Sequence, residues 1–320
     1  MISLFDGIYR DQRVASANQL QIMLKLSQQD LMSGLVEVSY SPEEKILLLL
    51  NSGNITCVYH CTGDVIARTP ISDLPVLLSA FPGGNIRVCS LAPSFLRAVK
   101  TIVEQPRASK VLALHTTELP KSIHEYQALP EASLLQFRWH SAEGFVFLPG
   151  HNFPARQYAF LTEGQSSDSA AAVSMFSRWS EAECTVSYYL GDPAVQIWQE
   201  NTLQLGFALL IEHTLRRYEE LVGHLLSGKL EDSINRLCRT QSWNISVADS
   251  TMDDVQLFDT LEDTIAAYRA IFDLASRQIA GVIGTRLFNE ALENSLESLG
   301  GSLRQAVEKI DLAAALPANR

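Results

Sequence analysis

The chain has 320 residues, 47% hydrophobic and 19% charged, which is the composition of a globular protein long enough for two or three domains. Its net charge of -11 and pI of about 5.1, with no long basic run, argue against an extended face for nucleic acid or for an anionic membrane. The first residues, MISLFDGIYRDQR, mix two acids with two arginines and lack an apolar h-region, so no signal peptide is expected. The longest apolar run, Ile46 to Leu50, is far too short to span a bilayer. Five cysteines spread over the chain, an odd number, are not a disulfide framework, and a cytoplasmic protein is the expectation.

In chain order, Ser16 to Ser33 predicts a leading helix, capped by Ser16, ended by Gly34 and interruptible near Ser27. Leu35 to Gly63 reads as a three-stranded meander, with alternation over Leu35 to Tyr40, a turn at Ser41 to Glu44, the strand Ile46 to Leu50, a turn at Asn51 to Asn54, and a third strand from Ile55 to His60. A short helix from Leu74 to Phe81 follows, then a strand from Asn85 to Leu91 and a helix opened by Pro93 and Ser94 that stops at Pro106. The segment from Pro106 to Pro130 holds three prolines, an apolar run from Val111 to Leu114 and a short helical stretch near Ile123 to Ala128; it reads as a linker.

A second stretch, Leu135 to Gly164, repeats the meander about one hundred residues later. Behind it, Ser169 to Trp179 matches the Leu74 to Phe81 helix and Cys184 to Leu190 matches the Asn85 to Leu91 strand. The remainder reads as helical: Pro193 to Ser227 with a stripe from Leu205 to Leu225, Lys229 to Arg239 after Gly228, and Asp259 to Leu299 with Gly281 and Gly284 marking a bend or crossing. A last helix is expected over Ser302 to Leu316, and an alternating strand from Trp243 to Val247 interrupts the run. The fold class expected is α+β: two similar antiparallel-sheet and helix units, 1–105 and 106–192, then a mainly helical region, 193–320.

No catalytic, cofactor-binding or metal-binding motif stands out. Thr56 to Cys61 gathers Cys57, Tyr59 and Cys61 on one side of an extended chain and Val58 and His60 on the other, but its spacing is not that of a zinc site and buried structural cysteines are the expectation. The histidines His115, His124, His140, His151, His213 and His224 are scattered, and Gly83-Gly84 and Gly300-Gly301 lack the residues of a phosphate loop. Asp253, Asp254, Asp259, Glu262 and Asp263 precede a helix at Thr264, where carboxylates meet its positive end.

The stretch LQIMLKLSQQDLMSGLVEVSYSPEEKILLLLNSGNITCVYHCTG resembles the PATAN domain of bacterial regulatory proteins. Gly34, Ile46 to Leu50, Gly53, Leu74 to Phe81 and Asn85 to Leu91 occupy the places of that family's leading glycine, apolar second strand, turn glycine, later helix and following strand. The similarity covers about residues 16 to 105 and more weakly 120 to 190; Cys61-Thr62-Gly63-Asp64 stands where the family has a Gly-Ala turn. The resemblance implies signalling adaptors that act by protein contacts. A cytosolic scaffold, with another protein or a second copy as partner and no nucleic acid, membrane or cofactor, is the resulting expectation. Its contact residues would be the stripe Tyr268, Ile271, Phe272, Ile279, Ile283 and Leu287. The alternative is a small-ligand sensor or enzyme with a site between the two repeat units.

Overall fold

The computed structural model describes residues 11–41, 43–63, 65–80, 83–150, 153–162, 165–168, 179 and 182–312. The first repeat contains β1 (Asp11–Ala15), α1 (Ala17–Gln29), β2 (Gly34–Ser39), β3 (Glu44–Asn51), β4 (Asn54–Thr62), β5 (Val65–Thr69), α2 (Leu74–Ser79), β6 (Gly84–Ser90) and α3 (Pro93–Glu104). Ser16 and Gln19 close a capping box at the start of α1, which continues unbroken past Ser27. Ser52 and Gly53, at φ 49° and 80°, form the two-residue turn of the β3–β4 hairpin. A Cβ at Gly53 would also lie 2.7 Å from the Gln28 carbonyl oxygen, so the site requires glycine twice over.

The second repeat contains β7 (Lys110–His115), α4 (Leu119–Gln127), β8 (Ser133–Arg138), β9 (Ala142–Leu148), β10 (Arg156–Thr162), β11 (Gln165–Asp168) and β12 (Glu183–Leu190). Each repeat builds a six-stranded antiparallel sheet, ordered β1-β6-β2-β3-β4-β5 and β7-β12-β8-β9-β10-β11, so adding six to each number of the first order yields the second. The registers agree as well: Gly34 pairs with Leu50 as Ser133 pairs with Leu148, and both β3–β4 and β9–β10 carry a bulge.

The stretch read as a linker is thus occupied by β7 and α4. Its prolines sit where they cost no hydrogen bond in an element: Pro106 after α3, Pro120 in the first turn of α4, Pro130 ahead of β8. The expected helix over Ser169 to Trp179 lies outside the described residues, Trp179 excepted.

Residues 1–126, 133–148 and 154–190 form one compact unit that holds both sheets. One face of the first sheet packs Val36, Val38, Ile46, Leu48, Val58 and Ile86 against Leu20 of α1 and Leu74 and Leu78 of α2. Its other face meets α3, where Tyr59 donates a 2.7 Å hydrogen bond to Glu104. Helix α3 also meets the second sheet, through an edge-on contact of Phe95 with Phe145 and an Arg97 hydrogen bond of 3.0 Å to Gln157, the positive-φ residue of the β10 bulge. Contact on both sides explains why Ser94 through Val103 are all buried, Arg97 and Lys100 among them.

The other unit is mainly residues 191–320. It contains α5 (Gln196–Val222), α6 (His224–Thr240), β13 (Ile245–Ala248), β14 (Thr251–Asp254), α7 (Leu261–Ile283), α8 (Thr285–Ser298) and α9 (Gly301–Glu308). Two corners consist of one glycine each: Gly223 at φ 82°, ψ 164° between α5 and α6, and Gly284 at φ 85°, ψ 150° between α7 and α8. Only glycine occupies that region without strain. The first helix therefore breaks at Gly223 rather than Gly228, which lies inside α6, and the expected stripe ends with it: Leu205, Leu209, Ile211, Leu215 and Tyr218 are buried, while Leu221 and Leu225 are exposed. The bend expected at Gly281 and Gly284 occurs at Gly284 alone.

Among the described residues the β13–β14 hairpin has no neighbouring strand, and helix side chains take a strand's place. Asn235 of α6 bonds both backbone groups of Val247, each at 2.8 Å. Glu212 of α5 accepts from the Met252 amide, Gln204 donates to the Asp254 carbonyl, and Glu231 accepts from the Ser250 amide. Asp249 and Ser250, at φ 50° and 56°, form the connecting turn, and the Ser250 hydroxyl donates to Glu219.

Candidate functional site

A groove of about 490 Å³ opens on the helical unit between α6, α7 and the segment that joins β14 to α7. Leu257 and Ala267 are its buried floor; Ala266 and Ala270 continue the trough along α7, their small side chains leaving it open. The walls carry half-buried Trp243 and Phe258, ring centroids 6.2 Å apart and edge to face. Exposed Asp259 and Asp263 line the same groove at the start of α7.

The rings are held from behind by a relay into the core. Phe258 packs edge-on against buried Tyr268, and Tyr268 stacks on Phe207 with centroids 4.4 Å apart. The Tyr268 hydroxyl donates to the buried Asp254 carboxylate, which also accepts from the Gln256 amide. Ser242 at φ 57° turns the chain out of α6, and the Trp243 amide bonds back to the Cys238 carbonyl, fixing where the indole begins. Thr260 caps α7 by accepting from the Asp263 amide and donates its hydroxyl to Asp263 Oδ2.

A second cleft, about 920 Å³, lies in the sheet unit over the ends of β7, β8 and β12. His115, Arg138, His140 and Glu183 line it, with buried Trp139 and Cys184. The Trp139 indole donates to Thr116, and Arg138 approaches Glu143 at 3.7 Å. Glu143 is buried; its carboxyl also accepts from Gln136, which in turn accepts from Tyr189. Burial pushes the Glu143 carboxyl above its ordinary range, Arg138 and Gln136 pulling it back, and pushes the Tyr189 hydroxyl up to about 12.

Of the stripe expected to make contacts, Tyr268, Ile271, Phe272 and Ile279 are spent inside the helical unit's core; Ile283 is half-buried and Leu287 exposed. The periodicity marks the face of α7 that packs inside the unit, where α5, α6 and α8 meet it. Cys57, Tyr59 and Cys61 face α3 as their alternation implies, and all five cysteines are free and buried. Burial raises the Cys57 thiol and takes Cys61 and Cys238 to about 11, the reverse of an activated nucleophile. His60 lies 3.0 Å from Glu44 across the hairpin, and His213 and His224 meet Ser298 and Glu219 separately. Among the described residues no group of three His, Cys, Asp or Glu is placed to hold a metal, and no helix is long and apolar enough to cross a membrane. Of the acids before Thr264, Asp254 turns inward and only Asp259 and Asp263 line the groove. Trp243 and Phe258 were not foreseen as site residues; Trp243 was read as the inward first residue of an alternating strand, but the strand begins at Ile245 and leaves it in the segment after α6.

Comparison with protein-family models, curated proteins and solved structures finds no match to this chain.

Proposed function

We propose that this protein is a cytoplasmic adaptor, PATAN-like in its repeated sheet units, that acts without catalysis by holding another protein. The observation that carries the reading is the groove of the helical unit, where Trp243 and Phe258 keep part of their ring surface exposed. Large aromatics held half-exposed beside small residues are the usual anchors of protein contacts. Five free, buried cysteines suit a reducing compartment. The test is a photo-reactive benzoylphenylalanine placed at Gln241, on the groove, or at Asp232, exposed elsewhere on α6. A discrete cross-linked protein from Gln241 and none from Asp232 is the expected result; equal yields from both positions refute the reading.

The cleft bordered by His115, Arg138, His140 and Glu183 favours a second reading, a sensor of a small polar ligand. Native mass spectrometry of the purified chain tests it: a stoichiometric small molecule, lost in Arg138→Ala, is the expected result under this reading.

A further inference from the structure

We infer that the groove between α6 and α7 receives an arginine or lysine side chain from a basic segment of the partner protein. The inference rests on the adaptor reading above and adds the chemistry of the partner.

Charge complementarity selects the occupant. None of the groove's lining residues is Lys or Arg, and Asp259 and Asp263 face it from one end. Asp263 gives Oδ2 to the Thr260 hydroxyl, so Oδ1 remains to accept from a ligand. An anion entering beside the α7 start would meet Asp259, Glu262 and Asp263 together, and a wholly apolar ligand would strip water from the groove's carboxylates with nothing in return. A cation gains on both counts.

The remaining surfaces suit the rest of such a side chain. An aliphatic stem fits the trough of Ala266, Ala267 and Ala270, and a guanidinium or ammonium head lies against the Trp243 and Phe258 rings, whose faces attract cations. The Trp243 indole N–H has no hydrogen-bond partner among the described residues and is free to meet a backbone carbonyl of the bound segment. The groove is an open trough rather than an enclosed cavity, which lets a side chain enter while its main chain runs across the rim.

The test titrates the full chain with a capped hexapeptide alternating glycine and arginine, and with the same peptide carrying neutral citrulline. Binding of the arginine peptide, about tenfold weaker with citrulline and about tenfold weaker in the double variant Asp259→Asn, Asp263→Asn, is expected. Asparagine at 263 keeps the acceptor for Thr260, so α7 remains capped, and an unchanged circular dichroism melt verifies folding. Equal affinity for the two peptides, or binding unchanged in the double variant, overturns the inference. Free arginine amide binding as tightly as the peptide also overturns it, in favour of a small amine. No peptide binding with the Gln241 cross-link intact defeats the inference while leaving the adaptor reading standing; loss of the Gln241 cross-link defeats the adaptor reading itself.

Discussion

Asn235 offers the sharpest check on how the helical unit holds together. Its amide replaces a neighbouring strand, donating to the Val247 carbonyl and accepting from the Val247 amide at 2.8 Å each, beside a residue only 2% exposed. Asn235→Ala strands both backbone groups. Each uncompensated buried polar group costs about 1–3 kcal/mol, and Asn235 is half-buried, so water recovers part of it; about 3 kcal/mol for the pair is the working figure. Alanine returns about 0.5 kcal/mol through its better helix propensity, leaving a net loss of about 2.5 kcal/mol. Urea denaturation of the full chain reads this as a lower midpoint at unchanged slope, and hydrogen exchange reads it as lost protection of the Val247 amide. Asn235→Asp keeps the acceptor and replaces the donor with a charge facing a carbonyl; it should destabilise at neutral pH and recover as the new carboxyl is protonated. A loss under about 0.5 kcal/mol in Asn235→Ala, with Val247 still protected, would refute the account of the clamp.

The paired glycines separate backbone strain from helix propensity. Gly223→Ala places alanine at φ 82°, ψ 164° and should cost about 1–3 kcal/mol, whereas Gly228→Ala, inside α6 facing open space, should stabilise by about 0.5–1 kcal/mol; thermal melts of the two variants must move in opposite directions. Burial holds the Glu143 proton in the folded chain at pH values where the unfolded chain, with its carboxyl near 4.5, has lost it. Stability from this group is therefore present at low pH and lost as pH rises through the folded pKa, so wild type should lose more stability than Glu143→Gln between about pH 4 and pH 7; parallel curves from urea melts would contradict this. With Cys61 and Cys238 taken to about 11 by burial, a thiol reagent at about pH 8 should label the folded chain at least about a hundredfold more slowly than the urea-unfolded chain; comparable rates would mean that the thiols are accessible.

What the amino-acid order determined by itself was whatever depends on neighbours along the chain. Period-two alternation located β2, turn-bounded apolar runs located β3 and β4, Ser16 located the start of α1, and the recurrence of one pattern disclosed the duplication and the α+β class. Strands β1 and β7 escaped because each lies on a sheet edge, where DQRVA and KVLALH need not bury both faces and so carry a weak pattern. A glycine's identity did not reveal its dihedral angles, so Gly223 and Gly228 were indistinguishable until helix packing showed which one turns the corner. The apolar stripe of α7 likewise announced that one face is buried without saying by what, and tertiary packing assigned Tyr268, Ile271, Phe272 and Ile279 to the core. The groove was beyond reach for the same reason: Leu237, Trp243, Phe258, Asp263 and Ala270 come from two helices and two connecting segments. Convergence of residues that far apart is decided by which helices pack together, through burial summed over the whole unit, and no local pattern encodes it.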